Sequence, residues 1–413
     1  MNPETIEIKT TYFKSSTIKL EMDAETKFYE NDNLLTSSDD DEPFTKREFE
    51  LKVQQAVSDF INQSFDNVVV LAGAGASVVV NDQGLDPRFG KTVEMIARNI
   101  NTQLKDLSTS TLFTLQELAT KSKYNIPVEI SEEFNTKFNL EDFLSNVLTY
   151  ENFFEGTDDE LDKFQKTKDK ILEIIKEDTS YPFDNRVMKH DTFLKVLSKK
   201  VKTPHKLSIL TTNYDILFEE AGEKLGFTFI DGFTFSANPF FDSDMFEWNL
   251  VKEIPNVKTN ELEYKVNIVN LLKIHGSLTW ERSSTEKRIL RKPKTSVTTP
   301  IMIFPSSNKY AQSYEEPYFE LFTKFQDLLK RPNTLLITVG FSFADVHISK
   351  MITSAIKSNT GLGVLITDHN IDQEHVNWKG LDKLSENHFR VAFLKATLNN
   401  DLTDYLGGSD GNR

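Results

Sequence analysis

A series of short, mostly apolar runs sets the tightest limit on what this chain can fold into. They are Val68–Leu71, Leu207–Thr211, Leu271–Ile274, Ile301–Phe304, Leu335–Val339, Val364–Ile366 and Val391–Leu394. Each is too short for a helix and lacks the polar alternation of a half-exposed strand, while amphipathic segments lie between them. Such runs are the strands of a parallel sheet covered by helices on both faces. The expected class is therefore α/β, with a doubly wound parallel sheet.

Between the first two runs lie about 130 residues without a comparable strand, although a parallel crossover needs only about a dozen. That stretch, rich in helix formers from Leu161 to Glu177, is read as a helical insertion at about 100–205. The core domain is placed at 49–405, after an acidic extension at 1–48 and before a flexible tail at 406–413. The extension carries the charge run Ser37-Ser38-Asp39-Asp40-Asp41-Glu42, which cannot enter a core. Ile6 to Tyr12 alternates like an edge strand, so the extension reads either as a solvated arm or as an arm with one ordered piece.

Composition narrows the function. The chain has 413 residues and a net charge of −15, which argues against direct binding of a nucleic-acid backbone. It holds no cysteine, so disulfides, thiolate zinc sites and cysteine nucleophiles are excluded. The opening Met1-Asn2-Pro3-Glu4-Thr5 resembles no signal peptide, and the mostly apolar run Val68–Val80 is too short to span a bilayer. A cytoplasmic protein without a membrane partner is expected.

The run Val68–Leu71 leads into Ala72-Gly73-Ala74-Gly75-Ala76-Ser77. Glycine at 73 suits a tight turn, and glycine at 75 lets amides approach a pyrophosphate. Val78 stands where a dinucleotide fingerprint has its third glycine, and no Gly-Lys-Ser/Thr follows, so a nucleoside-triphosphate loop is not expected. Taken alone, the turn also fits a purely structural bend.

Three further segments follow in order. Thr211-Thr212-Asn213-Tyr214-Asp215 closes the second run, where open α/β sheets place ligands; Asn213 and Asp215 also suit simple helix capping. Leu272-Lys273-Ile274-His275-Gly276-Ser277 puts an imidazole at another strand end. Thr338-Val339-Gly340-Phe341-Ser342-Phe343 and Val364-Leu365-Ile366-Thr367-Asp368 complete the set. At Asp368 an acid can accept ribose hydroxyls, or simply form the turn into His369-Asn370.

In this order the segments resemble the Gly-Ala-Gly-Ala-Ser, Thr-Gln-Asn-x-Asp, His-Gly and Gly-Thr-Ser motifs of sirtuins, with Thr212 and Phe341 in place of the usual glutamine and threonine. The resemblance implies a Rossmann-like fold that takes NAD as a substrate. It implies that Gly73, Ala74, Gly75, Ser77, Thr212, Asp215, Gly340, Ser342 and Asp368 contact the dinucleotide, with Asp215 on the nicotinamide carboxamide. It also implies that Asn213 and His275 are catalytic, Asn213 orienting water or ribose and His275 acting as general base.

Sirtuin deacylases carry a four-cysteine zinc module after the His-Gly motif. Without cysteine that module cannot be built, so no metal is expected. Residues 281–300 stand in its place, with Arg282, Lys287, Arg288, Arg291, Lys292 and Lys294 close together, either as a solvated hairpin or as a contact for an acidic partner or phosphate. Gly84-Leu85-Asp86-Pro87-Arg88-Phe89 only approximates the deacylase Gly-Ile-Pro-Asp-Phe-Arg loop.

Together with Phe138–Ser145 in the insertion, the set resembles sirtuin-like NADases of bacterial anti-phage defence. That implies NAD hydrolysis to nicotinamide and ADP-ribose, a homo-oligomer, and a HerA-like ATPase as partner. Two other readings stay open: a non-catalytic NAD or ADP-ribose sensor or scaffold, and a zinc-free deacylase or ADP-ribosyltransferase.

Overall fold

The fold is given by a computed structural model. It describes residues 9–36, 44–63, 65–107, 111–254, 261–283, 285, 288–302, 316–371, 375–387 and 389–408. The charge run 37–42, residues 6–8 and 303–304, Lys287 and the tail residues 409–411 lie outside the described residues.

Eleven strands form the main sheet. They are β1 (Lys9–Lys14), β2 (Lys19–Asp23), β3 (Phe28–Glu30), β4 (Asn33–Leu34), β5 (Asn67–Ala72), β6 (Leu207–Thr211), β7 (Thr228–Ile230), β8 (Ile268–Lys273), β9 (Thr334–Val339), β10 (Leu362–Asp368) and β11 (Val391–Lys395). Their spatial order is β7-β8-β6-β5-β9-β10-β11-β1-β2-β3-β4. The seven strands from β7 to β11 in that order are parallel, and all but β7 carry one of the apolar runs. The chain leaves β5 on one side for β6 and returns on its other side as β9, which makes the β5/β9 boundary the topological switch point.

Alternate residues of the parallel strands feed two cores. Val68, Val70 and Ala72 of β5 face α1 (Lys46–Ile61), α6 (His190–Ser198) and α7 (Leu217–Lys224). Val69 and Leu71 face α8 (Tyr318–Lys330), α9 (Val346–Ser358) and α10 (Lys379–Glu386). Burial of both faces explains why the strands carry no polar alternation.

The insertion contributes a third core from α2 (Val93–Leu107), α3 (Leu115–Lys121), α4 (Leu140–Glu151) and α5 (Asp158–Asp178), onto which Tyr214 and Met302 also pack. Capping boxes at Thr114/Glu117 and Thr157/Glu160 start α3 and α5 by satisfying amides that the first turn leaves without partners.

Two parts of the fold differ from the pattern of apolar runs. Residues 9–34 add four antiparallel strands, with β1 pairing β11 through Phe13↔Leu394. Phe13, Leu20 and Phe28 enter the main core, and Lys14 pairs with Asp382 at 2.6 Å. Ile301–Met302 is no strand of the parallel sheet: it pairs antiparallel with Gly276–Ser277, because both glycine and serine at that point have already left the end of β8.

Candidate functional site at the carboxyl ends of five strands

One row of residues crosses the sheet in register. Lys273 of β8 pairs with Thr211 of β6, Thr211 with Ala72 of β5, Ala72 with Val339 of β9, and Val339 with Thr367 of β10. Each motif begins just beyond this row, so the ladder continues for one more step: Ile274 N–H donates to Thr211 C=O, Thr212 to Ala72, Gly73 to Val339 and Gly340 to Thr367, all at 3.0–3.1 Å. Segments up to about 300 residues apart in sequence thus leave the sheet at one level, on either side of the switch point.

The glycines are there for a close approach between two turns. A Cβ at Gly73 would lie 2.6 Å from the carbonyl oxygen of Gly340, and one at Gly340, whose φ is +55°, would lie 2.4 Å from the carbonyl carbon of Gly75. Gly75 N–H donates to Gly340 C=O at 3.0 Å, and the amides of Ala76 and Ser77 donate to Gly73 and Ala74. Most amides of the turn are therefore engaged within the protein. Asn399 adds two bonds from its carboxamide, to Ala76 C=O at 3.2 Å and Val78 C=O at 2.8 Å.

Asn213 ties the β6 motif to this turn. Its carboxamide nitrogen donates to Gly73 C=O at 3.0 Å and to Ser77 Oγ at 2.9 Å, and the residue stays half-buried. Asp215 lies beneath, 6 % exposed. Its carboxylate accepts from Ser77 Oγ at 2.7 Å, Tyr181 Oη at 3.2 Å and Leu217 N–H at 3.2 Å. That carboxylate faces the underside of the glycine turn in this structure, and the bond to Leu217 N–H is a capping interaction at the start of α7.

Lys273, 2 % exposed at its side chain, sends its ammonium to the carbonyl of Asp215 and to Glu219 at 3.0 Å, joining the β8 motif to the β6 motif. Burial raises the Glu219 carboxyl and Lys273 opposes that effect.

His275 stands two residues past Lys273, as Asn213 stands two past Thr211, so the two lie on neighbouring strand ends. The imidazole is buried, with Nε2 3.4 Å from Asp345 Oδ2. Ser342 is exposed, and its hydroxyl accepts from Ala344 N–H at 3.4 Å. Asp368 sits at the end of β10 with its carboxyl raised by burial; it contacts His369 Nδ1 at 2.5 Å and Asn370 N–H at 3.3 Å.

Tyr181, Gly90 and Asp345 were not legible as site residues. Tyr181, from the connection after α5, has its phenol raised well above its ordinary value, first by burial and then by Asp215. Gly90 has φ +51°, and a Cβ there would lie 2.0 Å from Ser77 C=O, so the loop after the turn folds back onto the serine. Asp86 of that loop pairs with Arg88 at 2.6 Å, which holds its carboxyl at about 2. A cavity of about 770 Å³ opens instead at the amino ends of β5 and β9, beside Val68 and Leu335, and no motif residue lines it.

Residues 207–381 match the SIR2-like domain family. The matched span runs from β6 into α10 and takes in Asn213, His275, Gly340, Asp345 and Asp368, while the glycine turn precedes it. The chain is sirtuin-like over that span, which points at a coarse level to chemistry on NAD. A solved structure described as "The Structural basis of Sirtuin Substrate Affinity" aligns at 10% identity with a TM-score of 0.35, covering 89% of this chain and 100% of its own. That superposition is too loose to transfer residues. No curated protein matches the chain.

In the basic stretch 281–300, Trp280–Arg282 pairs with Ile289–Arg291 as a hairpin. Three of its cations have partners: Arg291 binds Asp231 at 2.5 Å, Lys292 pairs with Glu281, and Arg288 stacks on Phe240. Among the described residues, no helix is long and apolar enough to cross a membrane.

Proposed function

We propose that this chain hydrolyses NAD to nicotinamide and ADP-ribose, and that the resulting loss of NAD acts as an effector against phage. The observation that carries the reading is the single register row, from which the glycine turn, Asn213, His275 and Gly340 leave the sheet together beside the switch point, the end at which open α/β sheets bind nucleotides. The SIR2-like match over 207–381 supports NAD as the nucleotide.

In this reading Gly73, Ala74, Gly75, Ser77, Thr212, Gly340, Ser342 and Asp368 form the dinucleotide surface. The Asn213 amide nitrogen is engaged by Gly73 and Ser77, which fixes the carboxamide plane and directs its carbonyl oxygen to water. His275 removes a proton from that water or from a ribose hydroxyl as the bond between ribose and nicotinamide breaks, so the water oxygen ends on ADP-ribose. Asp215 holds the leaving carboxamide by exchanging the Tyr181 hydroxyl for it, since three protein donors already occupy the carboxylate. The lack of cysteine, and hence of the zinc module, favours water over an acylated peptide as acceptor. A homo-oligomer and a HerA-like ATPase are the partners proposed to restrain this activity.

A second reading, a sensor that binds NAD or ADP-ribose without turnover, is favoured by the same filled carboxylate of Asp215. Free nicotinamide after mixing the purified chain with NAD, alone and with its candidate partner, separates the two.

A further inference from the structure

The turn between β9 and α9 is built around an unusual backbone. Phe343 has φ +59°, a conformation that a bulky side chain adopts only when its surroundings impose it. Those surroundings are a buried aromatic pair, Phe341 and Phe343, with ring centroids 5.0 Å apart in an edge-on arrangement, and a bond from Ser349 Oγ to Phe343 C=O at 2.8 Å. The turn therefore fixes the residue two positions on, Asp345.

Asp345 divides its carboxylate between two tasks. Oδ1 accepts from His347 N–H at 2.9 Å and Ile348 N–H at 3.1 Å, capping α9. Oδ2 is directed towards His275 Nε2 at 3.4 Å, and both side chains are only 5% exposed. An Asp that merely capped a helix would have no reason to be turned, in a strained loop, against an imidazole on another strand. Lys273 of β8 and Glu219 of α7 pair with each other at 3.0 Å, while Asp345 brings a carboxylate to the ring from the start of α9.

We propose that Asp345 is the positioning residue for His275: it fixes the ring and stabilises the imidazolium that forms when His275 takes a proton. A carboxylate at this distance favours the charged ring. This rests on the hydrolase reading for its catalytic consequence but not for the pairing itself.

The test is Asp345→Asn in the full chain, with Asp345→Ser as a second variant, because both replacements still cap a helix. The His275 resonance, assigned by its disappearance in His275→Gln, is followed by NMR across pH, and nicotinamide release is measured in parallel. Pairing predicts that the imidazole titrates about one pH unit or more lower in both variants, with a tenfold or larger loss of kcat and little change in KM. An unchanged titration in folded variants would overturn the pairing. If the native chain releases no nicotinamide yet the titration shifts, the pairing stands and the hydrolase reading alone fails.

Discussion

The carboxamide nitrogen of Asn213 lies 2.9 Å from the hydroxyl of Ser77, 136 residues earlier in the chain. That hydroxyl in turn donates to Asp215, so the first and second motifs are locked by a serine between an amide and a buried carboxylate. The lock makes several consequences measurable.

Asn213→Ala removes both bonds to the glycine turn. The chain should lose about 1–3 kcal/mol of stability in urea unfolding and all nicotinamide release, while staying folded at 25 °C. Full release by the variant would remove Asn213 from the chemistry.

Gly340→Ala tests the approach of the two turns. The φ of +55° and the 2.4 Å approach to the Gly75 carbonyl carbon act together, and the left-handed backbone alone costs an alanine about 1–2 kcal/mol. A loss above about 2 kcal/mol, with weakened NAD binding, is expected from equilibrium unfolding and calorimetry. A variant as stable as the parent would contradict the described packing.

Ser77→Ala and Tyr181→Phe separate structure from ligand exchange at Asp215. Ser77→Ala takes a donor from a carboxylate 6% exposed, a loss of about 1–3 kcal/mol. Tyr181→Phe should cost less, given its longer 3.2 Å bond, and should leave NAD affinity unchanged or tighter, because the carboxamide no longer competes with the phenol. Weaker NAD binding by Tyr181→Phe would place the phenol among the ligand contacts instead.

His190 predicts an acid limb in stability. It is buried between Phe183 and Phe218, and burial holds its imidazole at about 4, so the folded chain keeps it neutral. An unfolded histidine binds a proton below about 6.5. The stabilisation is thus complete above that value and declines as pH falls towards 4, by up to about 3 kcal/mol. Unfolding of His190→Leu between pH 6.5 and 5 should show a shallower slope than the parent, and equal slopes would refute it.

The parallel strands are readable in the sequence because burial on both faces leaves Val68–Leu71 and Leu335–Val339 almost wholly apolar, with Thr338 the one polar side chain in the two runs. The sequence hid β7, a three-residue edge strand whose Thr228 and Phe229 are only half-buried. In residues 9–34 only the alternation up to Tyr12 hinted at a strand, because runs as short as Phe28–Glu30 and Asn33–Leu34 hold too few residues for a period to show. The motif residues were visible because each follows an apolar run. Tyr181 and Asp345 were not, since each reaches the site across a long separation in sequence, and Asp345 looks locally like an ordinary helix cap.

Hydrolysis of NAD by this chain is tested by incubating the purified full chain with NAD, alone and with its candidate ATPase partner, and quantifying nicotinamide and ADP-ribose. Equimolar release of both is expected from the native chain, and none from His275→Ala of unchanged thermal stability. Undiminished turnover in that variant, or NAD recovered intact from the native chain under every condition, would contradict that expectation.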